Sequence, residues 1–365
     1  MTTAEAAALK ETASAEIIQH PQFKQYENKG LTGLANLGNS CYLNSCMQLL
    51  SHTYELNNFL TNNNGHYKQK IKDMPDSVAI LEWDKLRDLM WSNNCTVAPN
   101  GFVLAIRKLA HYKKKDIFTG YAQNDLQEFL LFIIDCLHTS LSREVEMNIS
   151  GVSNNETDEL AKTCYTMMKQ MFKKEYSEML DLFYGIHVSE ISHLNTSEIL
   201  SLRPEPFSVL SLSLPENKNE VSIYDCFDLY CEKEKLEGEN AWFNEKTNQK
   251  ENVNRGIIFW SLPKVLIIDL KRWNGYTKKK NTLVSTPLTN VDFTKYVKGY
   301  NKHTYIYELY GVCNHHGGVS GGHYTAFVKN ANDKWYHFND TDVKEIANTN
   351  IVTQQSYCFF YRKIK

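Results

Sequence analysis

The spacing of apolar residues changes part-way along this chain. Up to about residue 182 it is mainly helical, and from about residue 183 it becomes short alternating or continuous runs between turn residues. Leu43, Met47, Leu50 and Tyr54 fall on one helical face, and 79–90 and 127–137 carry the clearest helical periodicity. Gly151, Ser153, Asn154 and Asn155 make 148–158 a polar loop. Strands are predicted over 187–191, 207–214, 265–270, 305–312, 324–328, 335–338 and 357–361. Helices first and strands later predict an α+β architecture. Residues 1–29, rich in Ala, Glu and Thr, read as an N-terminal extension, either one amphipathic helix or a flexible tether. The segment 141–182 reads as an insertion with its own partner or a helical pair covering the helical half.

Composition narrows the class. At 365 residues and 42% hydrophobic, the chain can bury a full core. A net charge of −2 gives no sign of a nucleic-acid or membrane surface. Nine cysteines, odd in number and scattered, do not form a disulfide framework, so a reducing, intracellular setting, cytoplasmic or nuclear, is expected. Met1–Lys10 lacks a basic segment followed by an apolar one, so no secretory leader is expected. The apolar runs at 129–134 and 265–268 are too short to span a bilayer.

The chemistry concentrates in two distant segments. Asn36-Leu37-Gly38-Asn39-Ser40-Cys41-Tyr42-Leu43-Asn44 places Cys41 at the start of a predicted helix. There, unpaired N–H groups and the helix dipole favour a thiolate, the nucleophilic form. Far downstream, Gly321-Gly322-His323-Tyr324 puts a histidine where a Gly-rich loop feeds a strand, and Phe338-Asn339-Asp340 ends the next one. Cys, His and Asn/Asp in that order supply a nucleophile, a base, and a group that fixes the base's tautomer.

Together with Gln123-Asn124-Asp125-Leu126-Gln127-Glu128-Phe129-Leu130, Leu270-Lys271-Arg272-Trp273 and the strands at 335–340 and 357–362, these segments resemble the ubiquitin-specific proteases. The five motifs occur in that family's order and cover residues 31–362. The resemblance implies a papain-like cysteine peptidase fold with a helical thumb, a β palm and β fingers. The thumb would span about 30–182, and the fingers and palm about 183–365, within a catalytic domain of 30–365. It also implies ubiquitin and ubiquitinated proteins as partners, hydrolysis after ubiquitin's C-terminal glycine, and no cofactor.

On this resemblance, Cys41 is the nucleophile, the alternative being a buried structural thiol such as Cys46 in the same helix. His323 is the general base and acid, ahead of His315, which shapes the site, and His316. Asn339 is the orienter, with Asp340 able to help or substitute; alternatively the pair simply ends a strand. Asn36 donates to the oxyanion together with the Cys41 N–H, or is a left-handed loop residue beside Gly38. Asp125, with Gln123 and Glu128, binds the arginine-bearing tail of ubiquitin; the other reading makes Asn124 or Asp125 the cap of the helix at 126–137. Tyr324 lines the narrow channel or packs.

Many family members hold a structural zinc in the fingers with two Cys-x-x-Cys pairs. The matching stretches here, 189–201 and 240–250, contain no cysteine, and His193 is the one candidate ligand. No metal is therefore expected, and the fingers must be shortened or held by packing. Cys226 and Cys231 have no second pair. Two other functions fit the same scaffold: a catalytically inactive ubiquitin-binding module, and a protease for a related modifier ending in Gly-Gly.

Overall fold

The computed structural model describes residues 21–61, 65–196, 198–274, 278–300, 302–318 and 321–364. The expectation for residues 1–20 lies outside these. Residues 21–29 are not a loose tether. Pro21–Tyr26 is a 3-10 helix whose Phe23 and Tyr26 are buried against Tyr54.

Among the described residues, seven α-helices build the first half: α1 (Cys41–Ser51), α2 (Tyr54–Thr61), α3 (Ser77–Ser92), α4 (Asn100–Tyr112), α5 (Leu126–Leu141), α6 (Glu156–Glu175) and α7 (Glu178–Phe183); α8 (Ile223–Cys231) lies among the strands. Tyr54 was expected to continue the Cys41 helix but opens α2. The chain breaks at His52–Thr53, where Arg362 Nη2 takes the His52 carbonyl at 3.0 Å and the Thr53 carbonyl accepts the first N–H bonds of α2. The polar loop expected through 158 ends earlier. Asn155 caps α6 by accepting the Asp158 N–H at 3.0 Å, and Glu156, Asp158 and Glu159 crowd the positive end of the dipole.

Eleven strands matter here: β1 (Gly185–His193), β2 (Ile199–Phe207), β3 (Val209–Ser213), β4 (Glu234–Leu236), β5 (Val253–Ser261), β6 (Val265–Lys271), β7 (Ile306–Gly318), β8 (Gly321–Lys329), β9 (Trp335–Asn339), β10 (Asp342–Ile346) and β11 (Ser356–Lys363). The palm sheet runs β10-β9-β8-β7-β11-β6-β3, antiparallel except at β6–β3. The fingers are a separate sheet, β2-β1-β5-β4. β2, β4, β5 and β10 were missed in the sequence. β2 is mostly half-buried or exposed and carries Pro204 and Pro206, so its pattern is not that of a core strand.

Of the helical pair expected at 141–182, α6 does not cover the thumb. Leu160, Ala161 and Cys164 of α6 bury against Ile186, Val188 and Trp260 of the fingers, so α6 backs the finger sheet. α7 packs on α5 and β6.

Every residue of α1 is buried. It lies between α5 and the palm strands β7, β8 and β9. One apolar cluster joins the thumb helices to that palm face, and a second packs the opposite face against α8. The helix that begins with Cys41 is thus the central post of the molecule. Among the described residues, no helix is long and apolar enough to cross a membrane.

At the finger tip, Trp242–Asn244 pairs with Gln249–Glu251. The hairpin is tied by side chains as well as packing: Glu251 Oε1 accepts from Asn244 Nδ2 at 2.9 Å and Thr247 Oγ1 at 2.6 Å. His193 Nδ1 accepts the Asn195 and Thr196 N–H groups, which uses the expected zinc candidate as a turn cap. This donor set does not fit a tetrahedral zinc site. One group of three candidate ligands occurs among the described residues, Asp76, Asp135 and Cys136 in the thumb. Lys113 already supplies its cation, 2.6 Å from Asp76 and 3.0 Å from Asp135.

Candidate active site

The loop before α1 is built by one amide. Asn36 Oδ1 accepts the N–H groups of Gly38 at 3.0 Å and Ser40 at 3.2 Å, and Ser40 Oγ accepts from Leu37 N at 2.8 Å. Gly38 and Asn39 take positive φ, 91° and 51°; the left-handed residue of the loop is therefore Asn39, not Asn36. This turn delivers Cys41 as the first residue of α1, 3% exposed.

Three N–H groups face the Cys41 sulfur: its own, that of Tyr42, and that of Tyr324 on β8. They favour the thiolate. Burial opposes them, helped by the charge of Asp340, and burial is the larger effect. The thiol sits above its ordinary pKa, which corrects the expectation that the helix start depresses it. Cys46 is wholly buried and pushed up further.

His323 directly precedes Tyr324, whose N–H faces the Cys41 sulfur. His323 Nε2 lies 2.6 Å from Asn339 Oδ1. An amide oxygen only accepts, so Nε2 carries the proton and Nδ1 is left with a lone pair. The approach to His323 is not a free loop. β7 and β8 form a hairpin in which His316 faces His323, Gly317 faces Gly322 and Gly318 faces Gly321. A Cβ at Gly322 would lie 2.2 Å from His315 Nε2 and 2.7 Å from the His316 carbonyl, so only glycine fits there.

Asp340 does not orient the histidine. Its Oδ1 accepts from Asn44 Nδ2 at 2.7 Å, its Oδ2 accepts from Asn36 Nδ2 at 2.9 Å, and its carbonyl accepts from Leu34 N at 2.8 Å. Asp340 takes φ of 50°, just beyond the strand end. Its carboxylate ties the Cys41 loop to the flank of α1. That bond uses one hydrogen of the Asn36 amide. The role of Asn44 was missed, although it stands inside the quoted motif. Nothing in sequence spacing links it to a residue 296 positions away.

His315 is buried. It packs 4.5 Å from Tyr324 and within 6 Å of Trp273 and Tyr357. Burial, then the charge of Lys279, pushes it down to about 4, so it is neutral and fills space beneath the hairpin. The Tyr324 ring packs in the same cluster. Arg272, wholly buried, donates to the carbonyls of Ser356, Lys280 and Thr282 at 2.7–3.0 Å, and so holds Trp273 against His315.

The thumb side meets the palm across this site. Asp125 caps α5, accepting the Gln127 N–H at 2.7 Å, while its other oxygen accepts from Tyr357 OH at 2.6 Å. The capping alternative is thus realised, with a palm contact added. Gln127 Nε2 reaches Ser211 Oγ at 2.5 Å. Glu128 is exposed on the first turn of α5. Gln123 bonds the backbone of Gly322 twice, at 2.9 Å each.

An α+β fold with a thiol at the start of a buried central helix and an imidazole on the facing sheet is that of a papain-like cysteine peptidase. The family model described as ubiquitin carboxyl-terminal hydrolase matches residues 32–361, and the chain belongs to that family. Similar curated relatives include Ubiquitin carboxyl-terminal hydrolase Usp2 of Drosophila melanogaster, 32% identical over 92% of this chain and 35% of its own length. Ubiquitin carboxyl-terminal hydrolase 2 of Homo sapiens is 29% identical over 91% of this chain and 55% of its own length. The chain therefore spans about a third to a half of these relatives. Among solved structures, the SAGA Ubp8/Sgf11/Sus1/Sgf73 DUB module bound to ubiquitin aldehyde matches with a TM-score of 0.68 at 24% identity, over 99% of this chain and 74% of that one. That likeness bears on the fold alone.

Proposed function

We propose that the chain is a thiol-dependent deubiquitinase that cleaves after the C-terminal glycine of ubiquitin on conjugated proteins or chains. The observation that carries this is the 2.6 Å bond from His323 to Asn339, with the N–H of the residue after His323, Tyr324, facing the Cys41 sulfur. The relatives' names and the ubiquitin aldehyde held by the Ubp8 module support ubiquitin as the substrate. Residues 30–365 make up the catalytic domain, and nine cysteines with no disulfide suit an intracellular, cytoplasmic or nuclear setting.

In this reading His323 Nδ1 takes the Cys41 proton as the sulfur attacks the glycine carbonyl. The oxyanion receives hydrogen bonds from the Cys41 N–H and the free Asn36 Nδ2 hydrogen. Collapse expels the lysine amine, which takes the proton back from His323 and leaves a thioester. Water, deprotonated by the same imidazole, hydrolyses that thioester. Asn339 holds the ring, Asp340 holds Asn36, and Glu128, exposed on the first turn of α5, faces the arginines of the tail.

The test is reaction with ubiquitin bearing a C-terminal electrophile, read by intact mass. One adduct is expected, absent from Cys41→Ala. A folded protein that forms no adduct, or a Cys41→Ala variant that still does, would refute the proposal.

A further inference from the structure

β8 has a bare edge at the active site. β9 pairs with β8 only from Ala326 onward, so Gly321–Thr325 has β7 as its sole strand neighbour among the described residues. Backbone N–H and C=O groups of alternate residues point to the same side of a strand. Gly322 and Tyr324 therefore share this open edge. Tyr324 turns its N–H to the Cys41 sulfur. A strand paired at Gly322 would thus run up to the nucleophile.

That place is already taken. Gln123 Nε2 donates to the Gly322 carbonyl and Gln123 Oε1 accepts the Gly322 N–H, both at 2.9 Å. The carboxamide supplies one donor and one acceptor, the pair that an added strand would supply. The two neighbouring thumb–palm bonds are different in kind. Asp125 to Tyr357 and Gln127 to Ser211 join side chain to side chain and leave strand edges untouched. Gln123 is also exposed, at the end of a segment without helix or strand, so it can swing away without unpacking any core. Gly321 offers it no obstacle, since even a Cβ there would lie 3.5 Å from Gln123 Oε1.

We infer that Gln123 is a latch: its side-chain amide imitates a peptide group, closes the substrate channel at Gly322, and is displaced by the incoming tail. This rests on the proposed reading of the site as a ubiquitin C-terminal hydrolase. Displacement is a cost charged against binding, because only the unlatched fraction accepts substrate. Two exposed hydrogen bonds of modest net strength correspond to roughly a fivefold effect.

The experiment is steady-state kinetics on ubiquitin carrying a C-terminal fluorogenic amide, comparing the full chain with its Gln123→Ala variant. KM should fall about fivefold with kcat held, so kcat/KM rises. A higher KM would make Gln123 a substrate ligand, a lower kcat would make it part of the catalytic geometry, and unchanged constants would show that the clamp has no weight; each overturns the latch. If the unmodified chain shows no turnover, the parent reading fails separately. The latch is then read by hydrogen exchange at the Gly322 amide, which should speed up in Gln123→Ala; equal rates would refute it.

Discussion

At the scale of the residue, Asn339 and Asp340 are neighbours with separate duties. Asn339 bonds His323, while the carboxylate of Asp340 spans Asn36 and Asn44. In the proposed mechanism Asp340 acts on the reaction through Asn36. Removing a donor to the oxyanion costs on the order of 100-fold in kcat. Asn36→Ala and Asp340→Ala should each lower kcat by about that factor. The double variant should lose little more than either alone, because both remove the same placed donor. A cycle measured with a fluorogenic ubiquitin substrate decides it: multiplied losses would mean that Asp340 acts by another route. Sequence spacing could not separate the two, since adjacent residues at a strand end point to opposite sides and only the packed neighbours say what lies on each.

At the scale of the element, the short helix Pro21–Tyr26 belongs to the fold. Tyr26 stacks on Tyr54 with ring centroids 4.6 Å apart. The Arg362 guanidinium sits over the rings of Phe23, Tyr54 and Tyr310 at 4.4–4.7 Å while Nε bonds Glu55 at 2.6 Å. Deleting residues 1–29 uncovers this buried cation and loses the burial of two aromatic side chains. Stability should fall by about 3 kcal/mol or more. A urea denaturation midpoint that stays in place after the deletion would make the segment a passive tether. The 3-10 helix was not legible because six residues carry no periodicity; its apolar pair acquires meaning only beside Tyr54 and Trp91.

At the scale of the whole molecule, thumb and palm meet through a buried polar network that includes Asp269 of β6. Its carboxyl is 3% exposed, its Oδ1 has no hydrogen-bond partner, and Asp125 across the cleft adds like charge. Burial first, then Asp125, pushes its pKa up to about 8. The folded protein therefore keeps a proton that the unfolded chain loses at about 4. The stability tied to this group is complete below pH 4 and drains away as the pH rises towards 8. Asp269→Asn removes the titration, so denaturation midpoints measured at pH 5 and pH 8 should differ less than in the unmodified chain, with the gain at pH 8. Equal pH dependence in the two proteins would show that Asp269 is ionised in the fold.

The sequence by itself determined the α+β order, most of the palm strands, and the residue types of the site, because periodicity is local and because the chemistry confines Cys41, His323 and Asn339 to a few motif positions. The tertiary structure decided the rest. It placed α6 on the fingers, buried α1 on every side so that desolvation outweighs the helix dipole at Cys41, and gave Asp340 to Asn36 instead of His323. It also set Gln123 on the bare edge at Gly322. Each of these depends on which surfaces meet across hundreds of residues, and burial and hydrogen-bond partners are properties of those meetings, not of neighbours along the chain.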